Sequence, residues 1–427
     1  MISGNRLKKI SLAAGDAVAF YASLFLALTV RYWSFPGQEL WEIHRGPFLF
    51  VNALWILILY ISGFYDPNKF INSTKILAVL KTMAIGAGGA ILIFYFIPYF
   101  NIAPKTNLFI DAAFSSMLLW GWRNFFKLVS IKSHKIKVFF LGESKETMEF
   151  KDFLDVNPHL GYKTVGDAEA ADIIVATEES KQDKETVKTL YEKVLAGKTI
   201  MEFSRLYESL TGKVPVSAIS KAWFMENLLE INKQSFEKVK KWLDLALTVV
   251  VFSLFAATFP FVALAIKTTS PGPIFYRQKR AGKNGEPIEI IKYRSMVKDA
   301  EKNGAEWAKA KDNRVTIIGN FLRKTRIDEL PQVINVAKGE LSFVGPRPER
   351  PEFTAELAKK IPYYPMRQLI KPGLTGWAQI NFPYGASIED ATQKLQYDLY
   401  YVKNRSLPLE ISILLKTIMT ILRREGR

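Results

Sequence analysis

The sequence predicts a membrane protein of mixed class: an α-helical bundle, an α/β domain, and a monotopic α+β domain that dips one re-entrant helix into the bilayer. Four apolar runs of spanning length crowd the first third of the chain. Charges concentrate after about Ser130, and a fifth apolar run, Leu245–Ile266, is basic on both flanks. A chain of 427 residues is long enough for two or three domains. The boundaries are expected at 1–132, 133–234 and 235–427.

The apolar runs that reach the ~20 residues needed to span are Leu12–Trp33, Pro47–Tyr65, Ile76–Pro98 and Asn107–Val129. Asp16, Lys81 and Asp111 fall in or near them, and snorkelling or pairing between helices accounts for so few charges better than ion transport does. Basic residues precede the first run, separate the second from the third (Lys69, Lys75), and follow the fourth (Lys127, Lys132, Lys135, Lys137). Both ends of the bundle therefore face the cytoplasm. The basic start at Arg6, Lys8 and Lys9 lacks a small-residue cleavage site after its apolar run, so it reads as a retained first helix.

Between the bundle and the fifth run, Lys137–Gly142, Asp172–Thr177 and Thr199–Phe203 read as strands, with a helix near Thr186–Leu195. The order is Rossmann-like, but the glycine-rich fingerprint is missing: Glu143 follows Gly142 where a pyrophosphate would need a free helix N-terminus. A domain without nucleotide is expected here, serving as spacer, regulator or contact for a homodimer.

The fifth run carries Lys238, Lys240 and Lys241 before it and Lys267, Arg277, Lys279 and Arg280 after it. Both flanks ask for the cytoplasm, which one straight crossing cannot provide. Pro260 removes a helix hydrogen bond, so a helix that enters, bends at Phe259-Pro260 and returns is expected. An ordinary fifth span is the alternative.

Beyond this run the chain carries reactive groups. Asp328 and Glu329 lie in Arg326-Ile-Asp-Glu-Leu-Pro-Gln332, where Pro331 suits the first turn of a helix and Asp328 its N-cap. Leu330, Val333, Ile334 and Ala337 make the buried face and Gly339 the end. The helix's positive end and the nearby Arg323, Lys324 and Arg326 favour the ionised carboxylate. Helix stabilisation by an Asp-Glu pair is the alternative. Gly345-Pro-Arg-Pro-Glu-Arg-Pro351 follows a short strand, Leu341–Val344, and its prolines stiffen the backbone that carries Arg347, a guanidinium suited to phosphate. The strand Ile288–Met296 ends in Lys292, Tyr293 and Arg294, further donors for phosphate or base. Pro271–Arg280 reads either as a lipid-phosphate site or as an interfacial anchor. Lys371–Trp377 is a turn with Arg367 nearby, and Asp398 in Lys394–Tyr401 adds a third acid. Leu407–Leu422, with Lys416, Arg423 and Arg424 beside it, reads as a helix lying on the membrane surface.

Composition excludes other classes. There is no Cys, so neither disulfides nor thiolate chemistry. The three histidines, His44, His134 and His159, are scattered, which argues against a histidine metal site or a Ser-His-Asp triad. A net charge of +17 suits anionic lipid or phosphorylated substrates. Because the basic residues border membrane segments, lipid is favoured over nucleic acid.

The motifs Lys292–Met296, Thr325–Gln332, Ser342–Pro348 and Lys371–Gln379, with Ser270-Pro-Gly-Pro273 and Tyr397-Asp398, resemble those of the bacterial sugar transferases, the polyprenyl-phosphate hexose-1-phosphate transferases. The likeness covers about 240–427 in family order, and the spans before it resemble the family's large membrane form. Asn381–Gly385 departs from the Asn-Gly-Arg of many members and is similar instead to members associated with exopolysaccharide loci of exosortase-type systems.

The resemblance implies that Asp328 attacks the β-phosphate of a UDP-sugar, releases UMP, and passes the phosphosugar to undecaprenyl phosphate. It implies Mg2+ on the diphosphate, Asp328 as nucleophile and metal ligand, and Glu329 as a metal or proton-handling partner. Lys292, Arg294, Arg347 and Arg367 would bind substrate, with Asp398 in support. The place implied is the bacterial inner membrane, with the catalytic domain on its cytoplasmic face. Two rivals remain: a membrane scaffold whose motifs are structural, and a glycosyltransferase releasing UDP, for which the Asp-x-Asp pair is missing.

Overall fold

The structure is a computed structural model that describes residues 2–96, 105–178, 180, 183–228, 233–297, 300, 314–382, 385 and 387–422. Pro98, Arg423 and Arg424, named above, and Pro383 and Tyr384 within Asn381–Gly385, lie outside the described residues. The chain forms two compact units, Met1–Thr211 and Gly212–Arg427.

In the first unit, helices α1 (Ile2–Tyr32), α2 (Gln38–Ile61), α3 (Ile76–Phe96) and α4 (Lys105–Lys132) make the bundle. Its core is Phe20, Leu24, Phe48, Val51, Trp55 and Leu59, with Val79 and Leu119. Among the described residues, α1, α2 and α3 are each long and apolar enough to cross a membrane. The fourth expected span forms as α4, a helix of 28 residues in which Asn107, Asp111, Ser115, Ser116 and Arg123 are all buried. They turn inward because α1 and the loop after α2 offer partners. Arg123 pairs with Asp16 at 2.6 Å, and Tyr65 donates to the same carboxylate at 2.7 Å. Ser23 stands 2.5 Å from both Asp111 and Ser115. Lys81, by contrast, is exposed.

The same unit contains a four-stranded parallel sheet: β1 (Ile136–Leu141), β2 (Tyr162–Thr164), β3 (Ile173–Ala176) and β4 (Thr199–Glu202), in the order β2-β1-β3-β4. All four residues of β3 are buried, as expected of a central parallel strand covered on both faces. Helix α5 (Lys145–Val156) starts on a Ser144–Thr147 capping box, and α6 (Lys184–Leu195) on Asp183. β2 was not expected, because it is only three residues long and none of them is buried. At the turn after β1, Gly142 has a φ of +93°, and a Cβ there would stand 2.8 Å from Thr177 Oγ1. Thr177 thus fills the space beside that turn. Lys8 of α1 donates to the His159 and Leu160 carbonyls, tying bundle to sheet.

In the second unit, α7 (Phe203–Thr211) of the first unit gives way to a segment that the boundary expected at 234 would assign to the middle domain. Here Val214, Val216, Ile219 and Trp223 of that segment join the second unit's core, the last from α8 (Lys221–Leu228). Helix α9 (Gln234–Thr269) follows, 36 residues or about 54 Å long. Pro260 lies inside this helix. Leu247, Val251, Phe255, Phe259, Val262 and Ile266, at spacings of three and four, pack on the domain core. The opposite face leaves Val249, Val250, Leu254, Phe261 and Leu264 exposed. It is the fourth helix long and apolar enough to span.

The rest of the unit is β5 (Phe275–Ala281) and β6 (Pro287–Tyr293), an antiparallel hairpin, then α10 (Ile317–Lys324), α11 (Val333–Ala337), β7 (Ser342–Val344) and α12 (Pro351–Lys360). β8 (Gly373–Thr375), α13 (Trp377–Asn381), α14 (Ile388–Asn404) and α15 (Leu407–Leu422) complete it. β7 and β8 pair in parallel. The expected turn at Lys371–Trp377 thus contains a strand. A Cβ on Gly345 would meet the Lys371 carbonyl at 2.6 Å, so the two segments approach this closely only with glycine there.

One prediction concerns the bundle. Replacing Arg123 by Ala strands a carboxylate that is fully buried with it; the loss is expected to cost about 3–5 kcal/mol. A lowered thermal midpoint in detergent, partly restored by adding Asp16→Asn, is the measurement.

Candidate active site

Asp328 and Glu329 sit in a 3-10 helix, Ile327–Gln332, placed between α10 and α11. The expected N-cap is a correction. Arg326 holds the position before this helix with a left-handed backbone, φ 59°, and no side chain caps the turn. The α-helix itself is only five residues long and starts at Val333. Pro331 is the reason, since without an N–H it cannot continue a helix that has begun at Ile327. Of the expected buried face, Val333 is buried and Leu330 and Ile334 pack on the core, but Ala337, in the last turn, is exposed; Gly339 at φ +78° ends the helix as anticipated.

Glu329 is the centre of the site. Its Oε1 accepts from Lys292 Nζ at 2.9 Å and from Arg347 Nη2 at 3.0 Å, and its Oε2 stands 3.4 Å from Arg326 Nη1. These cations come from the end of β6, from the proline-rich loop after β7, and from the turn before the 3-10 helix. Burial works against the charge of Glu329, yet Lys292, Arg347 and Arg326 together hold its carboxyl well below the usual range. It stays ionised at neutral pH.

Asp328 is buried, and its Oδ1 has no hydrogen-bond partner. Burial, then the charge of Glu329, push its carboxyl up to about 6 against the pull of Lys292, Arg323 and Arg326. The expected depression by a helix end is therefore a correction: no long helix starts here, and desolvation wins. At pH 7 a group titrating near 6 is still about nine-tenths ionised. Such a carboxylate is charged, poorly solvated and unpartnered, which is what an attacking oxygen needs.

Several other groups hold this geometry. Asn335 of α11 donates to the Glu289 carbonyl at 2.8 Å and accepts from the Ile291 amide at 3.1 Å, fixing the strand that carries Lys292. Arg367 does not reach the carboxylates. Its guanidinium pairs with Asp398 at 2.7 Å and donates to Tyr364 at 2.9 Å and to the Arg347 carbonyl at 3.0 Å. Arg367 and Asp398 thus brace the backbone of Arg347 from below.

Arg294 goes elsewhere. It donates to the Ser270 and Pro271 carbonyls, each at 2.8 Å, and to Ser270 Oγ at 2.9 Å. It closes the end of α9, and Gly272, at φ +126°, is required because a Cβ would lie 2.0 Å from its Nη1. Of the predicted site residues, Lys292, Asp328, Glu329 and Arg347 come together, Arg367 and Asp398 stand behind them, and Arg294 does not join. Sequence reasoning missed Asn335, a lone amide in an apolar stretch whose burial was the available signal.

Among the described residues no three His, Asp or Glu side chains converge to hold a metal by themselves. The unpartnered Asp328 Oδ1 is nevertheless a hard oxygen donor. With Glu329 already clasped, the donor set fits a cation such as Mg2+, which commonly takes one or two carboxylates and completes its shell with phosphate oxygens and water.

Residues 235–424 match the family model described as Bacterial sugar transferase. Over 228 residues the chain is 39% identical to a UDP-N-acetylgalactosamine-undecaprenyl-phosphate N-acetylgalactosaminephosphotransferase of Aeromonas hydrophila, covering 53% of each chain. It is 39% identical over 182 residues to a UDP-glucose:undecaprenyl-phosphate glucose-1-phosphate transferase of Escherichia coli, covering 42% of this chain and 39% of that one. It is 36% identical over 192 residues to the exopolysaccharide production protein PSS of Rhizobium leguminosarum, covering 44% of this chain and 96% of that one. The matches thus span about half or less of the Aeromonas and Escherichia proteins and nearly all of the Rhizobium one.

Replacing Glu329 by Gln removes a negative neighbour while Lys292 and Arg326 stay. The Asp328 carboxyl is then expected to titrate below about 6, as followed by isotope-edited infrared spectroscopy of the aspartate carboxyl.

Proposed function

This chain belongs to the bacterial sugar transferase family, and from that premise we propose that it transfers a sugar-1-phosphate from a UDP-sugar to undecaprenyl phosphate. The observation that carries the reading is the pair of unlike carboxylates: Asp328 with an unpartnered buried oxygen, next to Glu329 held by three cations.

Asp328 Oδ1 attacks the β-phosphorus, and the bond from that phosphorus to the bridging oxygen breaks. UMP leaves with the bridging oxygen, and a sugar-phosphoryl-aspartate remains. A phosphate oxygen of undecaprenyl phosphate then attacks the same phosphorus, and the aspartate leaves as a carboxylate. Glu329 keeps Lys292, Arg326 and Arg347 side by side, so a diphosphate meets a preformed set of donors rather than three mobile chains. Arg347, the most exposed of the clasp after Arg326, serves as phosphate clamp, while Arg367 and Asp398 keep it in place. Mg2+, held by Asp328 and the diphosphate oxygens, would neutralise charge on the leaving phosphate.

The same reading sets the membrane placement. Both ends of α9 are fastened to one domain, by Lys240 near its start and by Arg294 at its end. One face lies on that domain from Leu247 to Ile266, leaving the apolar opposite face for lipid. We take α9 as re-entrant, dipping into the cytoplasmic leaflet of the inner membrane with both ends on the same side. The site then lies at the headgroup plane where a polyprenyl phosphate resides. The parallel sheet of the first unit is taken as Rossmann-like without nucleotide, the space beside its first turn being filled by Thr177.

The experiment is to supply the enzyme in membranes with UDP-sugars and undecaprenyl phosphate and to identify the nucleotide released. UMP is expected, and Asp328→Asn is expected to reduce its release by at least about a thousand-fold, as loss of a covalent nucleophile does. UDP as the product, or an active Asp328→Asn, would overturn the assignment. Topology is tested separately. The absence of native cysteine lets single cysteines at Lys238 and Lys279 report cleanly. Both are expected to resist a membrane-impermeant thiol reagent added from the periplasmic side; labelling of Lys279→Cys alone would mean a straight crossing.

A further inference from the structure

The strand that leads into the Arg347 loop is held by the membrane helix as well as by its strand partner. Among the described residues β7 pairs with β8 alone, and α9 takes up groups that remain. Asp244 accepts from Ser342 Oγ at 2.8 Å and from the Phe343 amide at 3.2 Å. One turn earlier, Lys240 Nζ donates to the Val344 carbonyl at 3.1 Å and to Glu410 Oε2 at 2.5 Å. The Tyr401 hydroxyl closes the network, 2.5 Å from Glu410 Oε1 and 3.1 Å from the same Val344 carbonyl. Lys240, Ser342, Tyr401 and Glu410 are all buried. Three residues beyond Val344, the Arg347 guanidinium stands on Glu329.

Lys240 and Asp244 also occupy a particular place on α9. Asp244 is the last charged residue before the apolar run and Lys240 lies one turn before it; the exposed face of that run opens with Leu245 and continues through Val249 and Val250. The depth of that face in lipid sets the height of the two charges. A shift of α9 along its axis would pull on charged hydrogen bonds that are shielded from water, and those are costly to leave unmade. The pull would fall on β7, and so on the loop that presents Arg347.

We propose that Lys240 and Asp244 are positioning residues that make formation of the covalent intermediate depend on how α9 is seated in the bilayer, by holding β7 and with it Arg347 on Glu329. This rests on the reading of Asp328 as nucleophile. It adds to that reading a coupling between lipid and the first chemical step, a step in which no lipid substrate takes part.

The test uses the full-length enzyme in lipid nanodiscs and follows exchange of labelled UMP into UDP-sugar, which needs the first step only. Asp244→Asn and Lys240→Met are expected to lower kcat for exchange by about 10- to 100-fold, the usual consequence of misplacing a group by about 1 Å. The KM for UDP-sugar should change far less, and Lys240→Arg should restore most of the rate. Wild-type exchange should vary with the acyl-chain length of the nanodisc lipid, and that variation should vanish in Asp244→Asn. Should Asp244→Asn fail to fold, Ser342→Ala, which deletes one contact to the same carboxylate, is expected to show the same loss of lipid dependence. Folded variants that exchange at the wild-type rate, or a wild type indifferent to acyl-chain length, would overturn the proposal. No exchange from the wild type with any UDP-sugar would instead overturn the parent reading, and this one with it.

Discussion

Glu329 draws Lys292, Arg326 and Arg347 onto one carboxylate, and the rest of the second unit is arranged so that this clasp can exist. Without it, three like charges within reach of one another would repel, and each long side chain would sample many rotamers. With it, the cations are neutralised only in part, since one negative charge faces three positive ones. The residual field suits a diphosphate. The same carboxylate, with burial, decides the state of its neighbour: Asp328 is left desolvated, unpartnered and close to the pH at which it changes charge. Two adjacent acids therefore acquire opposite chemical characters from their surroundings alone.

Each arm of the clasp has its own brace. Asn335 ties β6, and with it Lys292, to α11. Arg367, paired with Asp398, holds the backbone carbonyl of Arg347. The left-handed backbone of Arg326 turns the chain between α10 and the 3-10 helix. Strain of that kind survives only where neighbouring contacts over-determine it. Here the contact is the ion pair that Arg326 makes with Glu329, three residues on.

The membrane helix belongs to the same economy of contacts. α9 keeps one stripe on the domain core from Leu247 to Ile266 and is fastened near both ends. Its apolar free face and its packed face are separate surfaces on one helix. In the bundle, by contrast, α4 has its polar residues turned inward, where Arg123 and Asp16 meet.

Much of this was legible in the chain. The apolar runs and the strands at 136–141, 173–176 and 199–202 follow from periodicity and residue type, because those signals are local, whereas the grouping of Asp328, Glu329, Lys292 and Arg347 was what the family resemblance implied. The character of the acids was not legible. Asp328 read as a helix cap, and only the packed structure placed Pro331 inside a 3-10 turn and removed the carboxylate from water. Arg294 read as a phosphate donor, but its nearest acceptors are carbonyls twenty-three and twenty-four residues earlier in the chain. The partnership of Lys240 and Asp244 with β7 spans about a hundred positions. Composition and spacing determine which groups a chain owns and which stretches must be buried. Which charge meets which, and how much water remains around it, depends on contacts between segments far apart in sequence, and these only the tertiary structure decides.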